Sequence, residues 1–114
     1  MTHYLVSFPS SAMGHIAAAN LPSVGESARA VIREAKAAGV YVFGGGIDES
    51  VPPVRVESYG TVKDGTYPET QRLNGGICVL NVPTRQQAEA WAARIAAACR
   101  CAQELRQFGY DPES

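Results

Sequence analysis

What this sequence has little of narrows the options quickly. Histidine occurs twice, cysteine three times and tryptophan once in 114 residues. An odd cysteine count with no Cys-x-x-Cys pair argues against a disulfide framework and, with only His3 and His15 to help, against a zinc site. Cys78 stands in an apolar run and reads as a small buried hydrophobe. Cys99 and Cys101 are separated by one residue, which suits neither a structural disulfide nor a redox pair. Free thiols in a reducing compartment, with no metal and no cofactor, are the expectation. Basic residues are neither abundant nor clustered: ten Lys and Arg stand against eleven Asp and Glu, for a net charge of −1. That leaves no electrostatic footprint for DNA or RNA. No apolar run approaches the ~20 residues that a membrane span needs. Met1-Thr2-His3-Tyr4 lacks the charged and apolar regions of a secretory signal, so a cytoplasmic location is expected. The length suits a single domain over residues 1–114.

What is there is an ordinary apolar fraction with clear periodicities. Residues 3–8 alternate as a strand, with Tyr4, Val6 and Phe8 on a face fit for a core and His3, Leu5 and Ser7 on a mixed one. Residues 9–22 form a long connection containing His15, and Ala17-Ala18-Ala19 could add a helical turn. Ser23 and Glu26 have capping-box spacing ahead of Ala28, Val31, Ile32 and Ala35, which predicts a helix over about residues 24–38, closed by Gly39. Val40-Tyr41-Val42-Phe43 is a second strand running into Gly44-Gly45-Gly46. With no Lys-Ser/Thr after them, these glycines suggest a tight exit rather than a phosphate loop. Residues 54–57 and 61–63 predict a hairpin turning at Tyr59-Gly60, and residues 76–82 a central strand. Thr84 and Gln87 open a second helix whose buried stripe is Ala88, Trp91, Ala92, Ile95 and Ala96. Residues 101–108 fit a last strand or a continued helix.

The middle of the chain is organised around residues 64–76. Asp64-Gly65 is a strong turn signal, and Gly75-Gly76 at a strand start marks a bulge or a close backbone approach. Asp64-Gly65-Thr66-Tyr67, then Glu69-Thr70 and Gly75-Gly76, resembles the motif of the YCII-related family in its DGPF-motif subgroup, with Thr for Pro and Tyr for Phe. The resemblance runs outward through Ala38-Gly39-Val40 and Ala90-Trp91-Ala92. It implies an α+β, ferredoxin-like fold: an antiparallel sheet with two helices on one face, forming a dimeric α+β barrel. It also favours a strand over residues 101–108. Two helices cannot cover both faces of a sheet, and Leu5, Tyr41, Phe43, Cys78 and Leu80 read as an apolar second face. A homodimer with the sheets face to face is therefore expected, with a sheet-side cavity for a small-molecule ligand.

For function, the resemblance implies no settled reaction. Some YCII-related proteins look like enzymes with a His-Asp pair whose His lies in the first helix. Residues 24–38 here contain no His, so His15 would take that role as general base, with Asp64 or Asp48 orienting its ring. Asp48, Tyr67 and Glu69 are the expected ligand-binding residues. The alternative is a non-catalytic regulatory or interaction module associated with transcriptional regulation, in which the 64–76 stretch is a structural turn.

Overall fold

The computed structural model describes residues 1–114. Four strands form one antiparallel sheet: β1 (Thr2–Phe8), β2 (Tyr41–Gly46), β5 (Gly76–Val82) and β6 (Glu104–Gln107), in the order β2-β5-β1-β6. The hairpin of β3 (Val54–Val56) and β4 (Val62–Asp64) stands apart as a two-stranded arm. Helices α1 (Leu21–Ala37) and α2 (Arg85–Cys99) complete an α+β fold. No helix is long and apolar enough to cross a membrane.

The β1 alternation holds. Tyr4 and Val6 are buried on the helix side, where they meet Val82, Leu80, Ala88 and Ala92. Trp91 packs against both halves of this core, with the Arg94 guanidinium 4.4 Å from its ring centre. Helix α2 starts as its sequence requires: Thr84 Oγ1 accepts from the Gln87 backbone N–H at 3.2 Å, a cap worth about 1 kcal/mol. Arg94 also pairs with Glu34 of α1, an exposed bridge of small energetic weight. Residues 101–108 contain a strand, β6, paired with β1.

Three expectations change. Helix α1 begins at Leu21, before the expected cap Ser23, because Pro22 fits the first turn, where its missing N–H costs nothing. Glu26 then faces solvent and pairs with Arg29 at 3.1 Å and Arg33 at 2.6 Å instead of closing a capping box. The three glycines do not leave the sheet: β2 runs through Gly46, pairing Gly44 with Cys78 and Gly46 with Gly76.

The third change concerns faces. The register slips between Tyr41 and Phe43, a bulge that reverses the facing of the later β2 residues. Tyr41 and Phe43 therefore lie on opposite faces, Tyr41 on the helix side. Cys78 and Leu80 are on that side too, because β5 pairs them with Val6 and Tyr4 of β1, and Leu80 is fully buried there. Of the residues expected on a second apolar face, Leu5 and Phe43 remain there, both opposite Val79, with Phe43 69 % exposed. The hairpin is also inverted from a normal half-buried strand. Val54, Val56 and Val62 are exposed, while Arg55 is half-buried.

Candidate functional site

Where α1 rises from the sheet, it leaves a cleft of about 300 Å³. Its floor is the helix side of β1, β2 and β5, including Val6, Phe8, Cys78 and the three β2 glycines; Val24, Ala28 and Ile32 of α1 form the opposite wall. Met13, from the short 3₁₀ turn Ser10–Met13, and Ile95 and Cys99 of α2 complete the lining. The glycines explain why the space exists. A Cβ on Gly44 would stand 2.6 Å from the Tyr41 hydroxyl and 2.9 Å from the Ile77 carbonyl oxygen, so only Gly lets the phenol lie across the strand. A Cβ on Gly46 would meet nothing within 4 Å, and the register with Gly76 puts it on the cleft side. Side chains there would fill the cleft.

The polar groups of the cleft are few and neutral. The Tyr41 hydroxyl makes no hydrogen bond within the protein, and burial, then the nearby Cys78, raises its pKa. Burial pushes the Cys78 thiol up to about 11. The Gln103 side-chain amide donates to the Cys101 carbonyl oxygen at 3.4 Å and to its Sγ at 3.6 Å, which leaves the Gln103 carbonyl oxygen free. Cys99 is raised by burial and by Cys101, and Cys101 by burial against the opposing effect of Gln103. All three cysteines are free. No group of three His, Cys, Asp or Glu side chains is placed to hold a metal ion.

These thiols make stability depend on pH. Their folded pKa values lie above those of the unfolded chain, whose thiols ionise near the ordinary 9.0. The stabilisation is complete below about pH 9 and is lost as pH rises through the folded values, up to about 11 for Cys78. The urea midpoint should fall over that window, and Cys78→Ala should reduce the fall. A midpoint equally steep in Cys78→Ala would remove Cys78 as a cause.

None of the catalytic or ligand-binding residues expected from the sequence lines this cleft. His15 is exposed in the turn after Ser10–Met13, with no hydrogen bond and no carboxylate paired to its ring. Asp64 is exposed at the end of β4 and has no side-chain partner. Asp48 closes its own turn, accepting from the Ser50 hydroxyl at 2.6 Å and the Ser50 N–H at 3.0 Å, and these bonds lower its pKa. Tyr67 is exposed beneath the Arg55 guanidinium, 5.6 Å from the ring centre, and Arg55 is held by Glu57 at 2.9 Å. Glu69 lies in the short 3₁₀ turn Pro68–Thr70 and is exposed and unpaired. In one chain, then, His15, Asp48 and Asp64 are not brought into a common hydrogen-bonded group.

The 64–76 stretch is anchored along the chain near the strand ends, and of its residues only Gly76 lines the cleft. Gly65 adopts a φ of +94°, as the Asp-Gly signal requires, and its N–H reaches the Pro53 carbonyl at 3.1 Å. The Asn74 side chain accepts from the Ser10 N–H at 3.0 Å, and the Gly75 carbonyl from the Ile47 N–H at 2.9 Å. On the far face of the sheet a wider hollow of about 610 Å³ lies under the C-terminal residues, among His3, Val79, Phe108, Tyr110 and Asp111.

Apart from Gly44, Gly45, Gly46 and Gly76, the residues of the cleft have no motif to announce them. In the sequence Tyr41 and Cys78 are simply strand residues, and Gln103 carries no signal at all. No family model matches the chain, and a search of curated proteins gives no match.

Proposed function

We propose that the protein is a dimeric small-molecule-binding protein of ferredoxin-like architecture, a YCII-related member of the dimeric α+β barrels, whose ligand lies in the cleft between α1 and the sheet. The observation that carries the reading is the cleft itself: a preformed apolar space with a few convergent polar groups is the common form of a ligand site. The architecture is supported by the strand order β2-β5-β1-β6 with two long helices, which is what two interleaved strand-helix-strand units produce. Binding is favoured over general-base catalysis because His15 has no carboxylate beside it and lies outside the cleft. Protein-observed NMR with a collection of small neutral and charged fragments tests this. Shifts clustered on Val6, Ile32, Cys78 and Ile95 are expected; a collection that perturbs no cleft residue would sink the reading.

The dimer rests on what one chain leaves uncovered. Only 10 of 114 residues are buried, and the radius of gyration is 15.5 Å, against about 13 Å for a compact chain of this length. The body is a slab, 44 × 42 × 19 Å. Phe43 on the sheet and Val54, Val56 and Val62 on the arm are exposed large apolar side chains, and a second copy is the commonest way to cover such a surface. Sedimentation equilibrium should return twice the chain mass of 12.1 kDa. Phe43→Glu should shift the population to single chains. A monomer at all concentrations in the unaltered protein would remove the dimer.

A further inference from the structure

The cleft's chemistry narrows what it can hold. We infer that the cleft, if it is the binding site proposed above, takes a neutral, compact, largely apolar molecule that carries one hydrogen-bond acceptor, received by the Tyr41 hydroxyl.

Size, charge and the single free donor together select this class. A space of about 300 Å³ is at the small end of ligand sites, equal to roughly ten waters, which suits one ring or a short chain. No Lys, Arg, His, Asp or Glu lines it. A charged ligand would lose its hydration and find no counter-ion, the most expensive kind of burial. Two cations stand outside the lining and both are engaged. The Lys36 ammonium lies 5.4 Å from the centre of the Tyr41 ring, on its face, and the Arg29 guanidinium beside Gly25 is held by Glu26 at 3.1 Å. The first turn of α1 adds Leu21, Val24 and Gly25 to the wall, with Pro22 removing one of its N–H groups. Of the side-chain donors, the Gln103 amide is already engaged with Cys101. The Tyr41 hydroxyl has no partner in the protein and is held over Gly44, since any Cβ there would displace it. The hydroxyl is reachable by solvent, so an acceptor on the ligand takes the place of water at it, whereas a ligand without one would leave the donor buried and unpaired. Apart from the Gln103 carbonyl oxygen, which can accept from a ligand that also carries a donor, the remaining lining is aliphatic, aromatic or thiol and contributes apolar contact.

A matched pair of probes tests this on the intact protein. Acetophenone is neutral and has a carbonyl acceptor; benzoate has nearly the same size and a full charge. Affinities are measured by titration calorimetry and by NMR, on the unaltered chain and on two variants. Tyr41→Phe keeps the ring and removes the donor. Gly46→Val fills the cleft from a strand position where a Cβ meets no atom, so its thermal unfolding should be unchanged or improved. Acetophenone should bind at least about tenfold more tightly than benzoate. Tyr41→Phe should weaken acetophenone about two- to tenfold, and Gly46→Val should abolish its binding.

The outcomes separate the ligand class from the site. Benzoate binding as tightly as acetophenone, both lost in Gly46→Val, overturns the neutral class and leaves the cleft as a ligand site. Acetophenone binding unchanged in Tyr41→Phe overturns the role of the hydroxyl. Binding that survives Gly46→Val places the molecule elsewhere and overturns the site. If neither probe binds, the ligand class is overturned, and the binding reading falls with it only when the fragment collection also perturbs no cleft residue.

Discussion

Leu80→Ala is expected to destabilise the protein by about 2–5 kcal/mol. Leu80 is completely buried at the centre of β5, opposite Tyr4 on one side and Tyr41 on the other. It meets Val6 and Ala92, with Tyr41, Cys78, Trp91, Ile95 and Leu105 around them. Removing its isobutyl group loses transfer free energy and leaves a hole that two sheet neighbours and a helix cannot close without moving. A small domain has about 5–15 kcal/mol in total, so this single change consumes a large share. For a chain of this length the melting temperature should fall by about 8–20 °C. Val79→Ala, one residue earlier on the other face, is the control. It is only half-buried and should cost much less. Equal losses at the two positions would mean that the far face of β5 is as fully covered as the helix side, as a second copy packed over Phe43 and Val79 would make it. The effect extends to the cleft, because Val6, Tyr41, Cys78 and Ile95 both surround Leu80 and line the ligand space.

The same residues show which parts of this fold are legible in the sequence. The β1 alternation is legible because one period-2 face is Tyr, Val and Phe, and local composition decides burial there. The Thr84 cap is legible because its partner is three residues away. The Asp64-Gly65 turn is legible because the backbone conformation it needs is one that Gly supplies. Each of these is decided within a few residues. The bulge after Tyr41 is not legible, since nothing in Tyr41-Val42-Phe43 marks an extra residue. That slip separates Tyr41 from Phe43, while Cys78 and Leu80 go to the core through the pairing of β5 with Val6 and Tyr4, a long-range register that no local pattern announces. The start of α1 misleads because Ser23 has good capping chemistry, while Pro22 tolerates a helix interior only in the first turn.

The site is the least legible part, for a physical reason. Sequence patterns point to polar residues in loops, and His15, Asp48, Asp64, Tyr67 and Glu69 are exposed there. The cleft instead depends on what is missing on two neighbouring strands beneath a helix from another part of the chain: a side chain at Gly46, where a Cβ would meet nothing, and side chains at Gly44 and Gly76, over which the Tyr41 hydroxyl and the Phe8 ring lie. A cavity made by absent Cβ atoms leaves no signature in spacing. Its polar groups, Tyr41 and Gln103, lie about sixty residues apart and meet only through the β5-β1 pairing that brings β2 and β6 into one sheet.

Gly75→Ala should be the most damaging of the glycine substitutions, costing at least about 1–3 kcal/mol by overpacking. Gly75 does not use a positive φ, so the requirement is one of space alone. A Cβ there would overlap the Phe8 carbonyl oxygen, and would lie 2.8 Å from the Ser10 nitrogen and 2.9 Å from the Pro9 carbonyl carbon. All three are backbone atoms, so no rotamer change can make room. The neighbouring contacts also resist movement: Asn74 holds the Ser10 N–H, and the Gly75 carbonyl holds Ile47. Relief must come from shifting the end of β1, and with it Phe8 and Met13, two walls of the cleft. Gly46→Ala is the natural comparison. Its Cβ meets nothing within 4 Å and its φ is not positive, so that change should be neutral or stabilise by up to about 1 kcal/mol. Urea unfolding of the pair decides the matter. If Gly75→Ala proves as stable as Gly46→Ala, the close approach of the 64–76 stretch to β1 is not why glycine stands there. If Gly75→Ala alone is destabilised, that stretch acts as a clamp on the strand end that shapes the ligand site, and acetophenone affinity should fall with it even though no atom of residues 64–75 lines the cleft.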